Sequence, residues 1–425
     1  MKNNNVSFGR LVLVFVLVGI IPAILFLTSC STTSIQIEST DLMKGMTPVV
    51  TDGKETDSIF IERNMDFSLD LLKGSLKDDK NTLLSPLSVM LALSMTANGA
   101  ENNTLSQMEE VLGQDLTIQV LNEYLHTYTN NLPSKDKSKL SIANSIWFRD
   151  DEDRLHVEDE FLQTNADYYG ASAYKSAFDE QTLTDINHWV KNKTDGLIEK
   201  IIDQIDEDTV MYLINAMVFD GEWKNIYREE QLSTGIFTAS DSKEQNASYM
   251  TSEENIFLSD GSSTGFIKPY VDEDYSFFAI LPNENTTVEK YLNGLDSQSL
   301  LNMFDNKEDT LVTATTPKFK FEYELKMNDL LKSLGMTDAF DPKVADLSKL
   351  GRSSRGNLFI GDVIHKTFIS VDEKGTKAGA VTKVEVKDES YVETKTVKLD
   401  RPFIFGILDN RTDLPLFIGV LNKLD

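Results

Sequence analysis

The chain has 425 residues, 40% of them hydrophobic and 9% aromatic, and a formal net charge of -27. The apolar content suffices for a large core and excludes a disordered chain. The acidic excess excludes a nucleic-acid partner, because phosphate backbones demand clustered Lys and Arg. One cysteine (Cys30) and four histidines (His126, His156, His188 and His365) leave no Cys pair and no His pair at ligand spacing, so no disulfide, metal or cofactor is expected.

The N-terminus reads as a targeting segment. Lys2 and Arg10 accompany an apolar run from Leu11 to Leu27, which ends in Leu27-Thr28-Ser29-Cys30. That ending resembles the lipobox of bacterial lipoproteins, whose Cys is lipidated and becomes the first residue. The alternative is a signal anchor, since the run is just long enough to span a membrane. The lipobox reading makes 1–29 a signal peptide and Cys30 the lipid site. The protein is then exported and membrane-anchored at the cell envelope, on the outer face of a membrane, in the periplasm or at the cell surface. Processing removes Lys2 and Arg10 and no acid, which moves the formal charge from -27 to -29. Residues 30–56 are Ser/Thr-rich and read as a tether. From 57 to 425 there is no repeat and no linker-like shift in composition, so one domain is expected.

Helical patterns come first. Ile61, Met65, Leu69 and Leu72 recur at four and three residues and predict one apolar helix face. Ser85-Pro86 predicts a second helix start, with Ser able to cap and Pro tolerated in the first turn. The residues that follow, Leu91 to Met95, are apolar almost all round, which places this helix centrally. Lys135, Lys137 and Lys139 are interrupted by Asp136 and read as a solvated connection rather than a polyanion site. Strands dominate later. Leu140–Phe148 and Met211–Phe219 are apolar runs suited to sheet interior, and Phe319, Phe321, Tyr323 and Leu325 alternate with charges as in a half-buried strand. Met327–Leu334 returns to helix and stops at Gly335. Pro402–Leu408 and Leu416–Leu421 read as strands joined by a polar turn. Interleaved helices and strands predict an α+β fold with large mixed sheets.

Enzymatic chemistry finds no support. Gly261-Ser262-Ser263-Thr264-Gly265 matches the G-x-S-x-G pattern, which would give a hydrolase with Ser262 as nucleophile. That elbow must turn from strand to helix, whereas Phe266-Ile267-Lys268-Pro269-Tyr270 reads as a strand, so a hairpin loop is expected. The segment 371–401 is more informative. From Thr376 the even positions are Thr376, Ala378, Ala380, Thr382, Val384 and Val386, small or β-branched, while Lys377, Gly379, Val381, Lys383, Glu385 and Lys387, largely charged, lie between them. Its start is rich in Gly and Ala, and its end, Lys387-Asp388-Glu389-Ser390, is polar. Such a segment suits exposure in one state and a packed strand in another, although pattern alone equally fits a solvent-exposed hairpin.

The stretch from about Ile59 to Asp425 resembles the serpin family in an ordered set of motifs. They are Asn81-Thr82-Leu83-Leu84-Ser85-Pro86-Leu87-Ser88, the segment from Asn215 to Trp223, Pro317-Lys318-Phe319 with Leu334-Gly335-Met336, His365-Lys366 followed by Asp372-Glu373-Lys374-Gly375-Thr376, Arg401-Pro402-Phe403, and Pro415-Leu416-Phe417-Ile418-Gly419. The resemblance implies the serpin fold: three β-sheets, eight to nine helices and an exposed reactive-centre loop at about 373–401. It implies irreversible suicide-substrate inhibition of a serine or cysteine endopeptidase. The protease cleaves the loop, is held as a covalent acyl-enzyme, and is distorted as the loop inserts into the main sheet. The protein would not be an enzyme, and a monomer is expected. Ser85, Ser88, Asn215 and His365 fall at the family's shutter positions, with Trp223 where the loop first enters. Either His365 or Trp223 could instead be an ordinary core residue. Glu373, Gly375, Thr376, Ala378, Gly379 and Ala380 form the implied hinge. Its small residues favour inhibition, and the departures Lys377 and Val381 should face away from the core. Counting fourteen residues from Gly375 puts the reactive bond at Glu389–Ser390, counting back from Pro402 suggests Tyr391, and Lys387 is a third bait. A non-inhibitory serpin-fold binding protein, cleaved as a plain substrate, is the alternative.

Overall fold

A computed structural model of the chain describes residues 37–49, 51–77, 79–150, 154–206, 209–354, 356–376 and 394–424. Two large sheets carry the core of this unit. The main sheet runs in the order Thr40–Asp41, Ser172–Ser176, Ser138–Arg149, Met211–Glu222, Gly375–Thr376, Asp362–Val371 and Phe319–Lys326. The second has nine strands. Its path leads from Lys395–Lys398 through Glu308–Pro317, Glu244–Ser259, Ser263–Pro269, Tyr275–Pro282, Phe403–Asp409 and Leu414–Leu421 to Thr82–Leu84, with Leu232–Thr238 beside Glu244–Ser259. Leu155–Val157 and Gly351–Ser353 make a separate two-stranded ribbon. Nine α-helices accompany the sheets among the described residues. The expected α+β class and three sheets are therefore present.

Local patterns explain the elements that position the site. The Ser58–Ser75 helix starts where the Asp57 carboxylate accepts the Phe60 N–H at 3.1 Å, and it buries Met65, Leu69 and Leu72 on one face. The Pro86–Ala97 helix has all of its residues buried. Each of its large aliphatic side chains contributes roughly 1.5–3 kcal/mol of transfer free energy, before the entropy of ordering it. Ser85 precedes this helix, yet its hydroxyl caps no N–H. It lies 2.7 Å from Met217 Sδ on the main sheet instead, because the helix start is pressed against that sheet. The Phe319–Lys326 strand alternates as expected, and the helix Asn328–Leu334 stops at Gly335, whose φ of +121° suits glycine.

One expectation needs correction. Residues 37–49 and 51–56 belong to the span expected as tether, but they lie against the body. Thr40–Asp41 pairs with the Ser172–Ser176 edge strand, the Asp185 carboxylate accepts the Glu38 and Ser39 N–H groups, and Leu42, Met43 and Met46 pack on the core. A few apolar anchors and backbone pairing suffice, and Ser/Thr-rich composition does not register them. The three lysines are exposed, as expected of a solvated connection, and each also pairs with an acid. Lys135 pairs with Asp274 at 2.5 Å, Lys137 with Glu222 at 3.0 Å, and Lys139 with Asp195, so each cation ties its segment to an acid elsewhere in the fold.

Candidate functional site: the parting line of the main sheet

The two central strands, Met211–Glu222 and Asp362–Val371, are parallel, and in their lower part they pair directly, from Asp362 opposite Tyr212 to Thr367 opposite Met217. Above that point a third strand lies between them. Gly375 and Thr376 run antiparallel to both neighbours, with Gly375 opposite Glu222, and Thr376 opposite Gly221 on one side and Val371 on the other. The chain reaches this position through a tight turn, in which Asp372 N–H donates to Gly375 O at 3.0 Å and the Asp372 carboxylate accepts the Lys374 N–H at 2.8 Å.

Aromatic side chains build the seat for that turn. Trp223 is buried and stacks on Tyr270, with ring centroids 4.7 Å apart and planes inclined by 13°. The Thr376 and Tyr270 hydroxyls are 2.6 Å apart. Trp223 Nε1–H donates to Asp372 O, Trp223 N–H to Lys374 O and Tyr227 N–H to Glu373 O, each at 2.9 Å. Three successive hinge carbonyls are thus held by two residues. Gly221 is required here, because a Cβ on it would come within 2.4 Å of the Phe219 ring and 2.8 Å of Tyr270. At the rim, Lys318 pairs with Glu373 at 2.5 Å, and its ammonium holds the Glu373 carboxyl below its ordinary pKa.

A polar network crosses the sheet lower down. Asn144, Asn215 and His365 occupy facing positions on three adjacent strands. His365 Nδ1 lies 2.5 Å from Asn215 Oδ1, which also accepts the Ser88 hydroxyl at 2.8 Å, while Asn215 Nδ2 donates to Asn144 Oδ1 at 2.7 Å. The Ser85 N–H donates to His365 Nε2 at 3.2 Å. This bond assigns the tautomer: Nε2 is the acceptor, so Nδ1 carries the proton donated to Asn215. His365 is fully buried, and burial lowers its pKa to about 3, so the ring is neutral. A proton on Nε2 would face the Ser85 N–H, donor against donor. Next along the strand, the Thr367 hydroxyl donates to Leu83 O at 2.8 Å.

The residues expected at the site divide three ways. Ser85, Ser88, Asn215 and His365 meet in one network, and Trp223, Glu373, Gly375 and Thr376 meet in the seat above it. Ala378, Gly379, Ala380, Lys387, Glu389, Ser390 and Tyr391 lie outside the described residues, as does Cys30. Sequence reasoning missed Asn144, Thr367, Tyr227 and Tyr270. Asn144 had a signal, since an amide within the apolar run Leu140–Phe148 requires a buried partner. Ser262 sits in a β-hairpin between Glu244–Ser259 and Ser263–Pro269, its hydroxyl 3.0 Å from Asp260, so no strand-to-helix elbow is built. Among the described residues no cluster of three or more His, Cys, Asp or Glu could hold a metal, and no helix is long and apolar enough to cross a membrane.

Comparison with known proteins sets this geometry in context. Residues 62–424 match the family model described as Serpin (serine protease inhibitor). Iripin-2 of Ixodes ricinus is 33% identical, with 81% of this chain and 88% of that protein covered. Among solved structures, a thermophilic serpin, tengpin, is similar in its native state with a TM-score of 0.88 and 51% identity, over 91% of this chain and all of that one. Tengpin in its latent state gives a TM-score of 0.79 with 53% identity, over 88% of this chain and all of that one.

Proposed function

Since the chain belongs to the serpin family, whose general activity is protease inhibition without enzymatic turnover, we propose that it is an irreversible suicide-substrate inhibitor of a serine endopeptidase. The reactive-centre loop is assigned to about 373–401. Its cleavage links the protease to the new C-terminus as an acyl-enzyme. The freed strand then continues the Gly375–Thr376 register downward, displacing the direct pairing of Met211–Glu222 with Asp362–Val371 and carrying the protease with it. The driving force is strand addition to the sheet.

One observation carries this reading: Gly375–Thr376 already occupies the first rung of a strand between the two central strands, while below Thr367 and Met217 those strands touch. A hinge seated with its small residues inward can extend without first repacking. The reactive bond is assigned to Glu389–Ser390, with Tyr391 and Lys387 as the competing baits. Cys30 is assigned as the lipid anchor following a 1–29 signal peptide, which places the inhibitor at the cell envelope. Incorporation of labelled fatty acid, lost in Cys30→Ala, tests the anchor.

The full chain, in mild detergent, is to be mixed with Glu-specific, chymotrypsin-like, trypsin-like and elastase-like proteases. A complex that survives SDS, together with a released C-terminal peptide, is expected, and the first residue of that peptide identifies the bond. Clean cleavage between Gly375 and Pro402 by every protease, with activity retained and no gain in thermal stability, overturns the inhibitor reading in favour of a serpin-fold binding protein.

A further inference from the structure

We infer that a buried ion pair behind the hinge seat, Lys268–Glu254, is a positioning element of the trap, holding the Trp223–Tyr227 segment so that its N–H groups meet the hinge carbonyls. The inference rests on the inhibitor reading only for its kinetic consequence.

A lysine ammonium in a core needs every N–H satisfied, because desolvation is costly. Lys268 is 2% exposed and Glu254 4%. Lys268 Nζ donates to Glu254 Oε1 at 2.7 Å and to Asn225 O at 3.3 Å, and it lies 3.5 Å from Ser252 Oγ. Ser252 in turn donates to the same Glu254 oxygen at 2.5 Å and lies 3.2 Å from the Tyr227 hydroxyl. The ammonium also sits over two rings, 4.4 Å from the Tyr227 centroid and 5.4 Å from that of Trp223. Burial pushes the Lys268 pKa down, but Glu254 and Tyr227 more than offset it and the net shift is upward, so the amine is charged.

These contacts converge on one short segment. Trp223 and Tyr227 are the two residues that hold the carbonyls of Asp372, Glu373 and Lys374, and Asn225 lies midway between them. Lys268 therefore grips the segment by its central carbonyl and by both rings. An apolar side chain at 268 could fill the same volume, but it could not bond Asn225 O or attract the rings. Buried ion pairs are weak contributors to net stability, and the best-attested gain from them is a unique geometry. Here that geometry sets the hinge register from which insertion starts, at the moment when insertion competes with hydrolysis of the acyl-enzyme.

The test is the paired substitution Lys268→Met with Glu254→Leu, which leaves neither charge unpaired. Two readouts are taken on the full chain. One is hydrogen exchange at the Trp223 and Tyr227 amides, which needs no protease. The other is the number of inhibitor molecules consumed per protease trapped, using whichever protease of the panel forms a complex. Both are expected to rise about fivefold, the change that loss of one net hydrogen bond gives, with the melting temperature and the loop-cleavage rate unchanged. A purely structural role would instead move the melting temperature and leave the ratio alone. Lys268→Met with Glu254→Gln, which leaves no charge unpaired and keeps an acceptor for the Ser252 hydroxyl, is expected to move both readouts the same way, and it keeps the test open should the first double variant not fold. Unchanged exchange in the variant that folds overturns the inference. So does an unchanged ratio with a protease that the parent traps. If the parent traps none of the proteases, the inhibitor reading fails, and the exchange result still decides whether the pair braces the segment.

Discussion

Under the proposed mechanism the top and the middle of the main sheet face the same requirement, to admit a strand between Met211–Glu222 and Asp362–Val371, and they meet it with different chemistry. At the top the strands are parted and Gly375–Thr376 lies between them, the carbonyls before it held by backbone and indole N–H groups and Thr376 against an aromatic wall. In the middle the strands are closed by their own ladder and by side-chain hydrogen bonds among Asn144, Asn215, His365 and Ser88. Aromatic packing accepts one shape and rejects others. A hydrogen-bond network can be broken and remade against a new neighbour, because its cost is modest while each group finds a partner again. In the proposed mechanism shape serves to start the insertion, and polarity holds the sheet shut until it starts.

The sharpest way to break this contrast is Thr376→Arg. Thr376 is 2% exposed, and an unpaired guanidinium there would cost several kcal/mol. The expected outcome is expulsion of the hinge from its seat. Stable complex is lost and the protein becomes a plain substrate, while the rest of the fold melts near the parental temperature. Trapping at the parental ratio would mean that the seated hinge is irrelevant to insertion.

Asn215→Ala attacks the middle instead. It leaves the His365 Nδ1–H and Asn144 Oδ1 without these partners, and the Ser88 hydroxyl with Ser85 O alone, at 3.4 Å. At about 1–3 kcal/mol for a buried unsatisfied group, the native state should lose roughly 3 kcal/mol. Thermal melting reads this as a lower transition of the intact protein. The loop-cleaved protein should lose less, because an inserted strand separates the two central strands. Equal losses in both forms would show that the network is ordinary core rather than a closure.

Acid probes the same closure more gently. The pKa of His365 is lowered from the ordinary value near 6.5 to about 3, so the unfolded chain binds a proton that the folded one refuses. The contribution of His365 to stability is fully present above about pH 6.5 and is lost as pH falls toward 3, with a limiting slope of about 1.4 kcal/mol per pH unit. His365→Gln should flatten the fall in stability between about pH 6 and 5, where the ordinary pKa values of carboxylates are not yet reached. A parent and variant that melt in parallel over that range would remove His365 from the account.

Much of the top was legible in the sequence, and much of the middle was not. Gly375 and Thr376 open an alternation that a single segment can show, and Trp223 stands out in its segment. Asn144, Thr367 and Tyr270 acquire their roles only through the register between strands far apart in the chain, which local periodicity does not encode. Ser85 shows the same limit in reverse. Beside Pro86 it reads as a cap, but the sheet above the helix claims both its hydroxyl and its N–H. Residues 37–49 and 51–56 escape a reading by pattern because their few anchors, Leu42, Met43 and Met46, follow no period. Across the fold, patterns within one element were readable, and pairings between elements needed either the family's motifs or the coordinates.

The rim pair Lys318–Glu373 should give the smallest effect, and for that reason it calibrates the others. Both side chains are about one-third exposed, and exposed pairs contribute between zero and about 1 kcal/mol. Because the Glu373 pKa is lowered, what the pair contributes is present above the ordinary carboxylate range and is lost on acidification through the lowered value. Lys318→Ala is expected to lower native stability by less than about 1 kcal/mol and to change the trapping ratio less than twofold. The three carbonyl bonds from Trp223 and Tyr227 would remain, and they hold the turn whether or not Glu373 is neutralised. Should Lys318→Ala instead match Thr376→Arg in effect, charge at the rim would be holding the hinge. The aromatic wall would then only line the space, and the contrast between a shaped top and a polar middle would have to be redrawn as one between two polar closures.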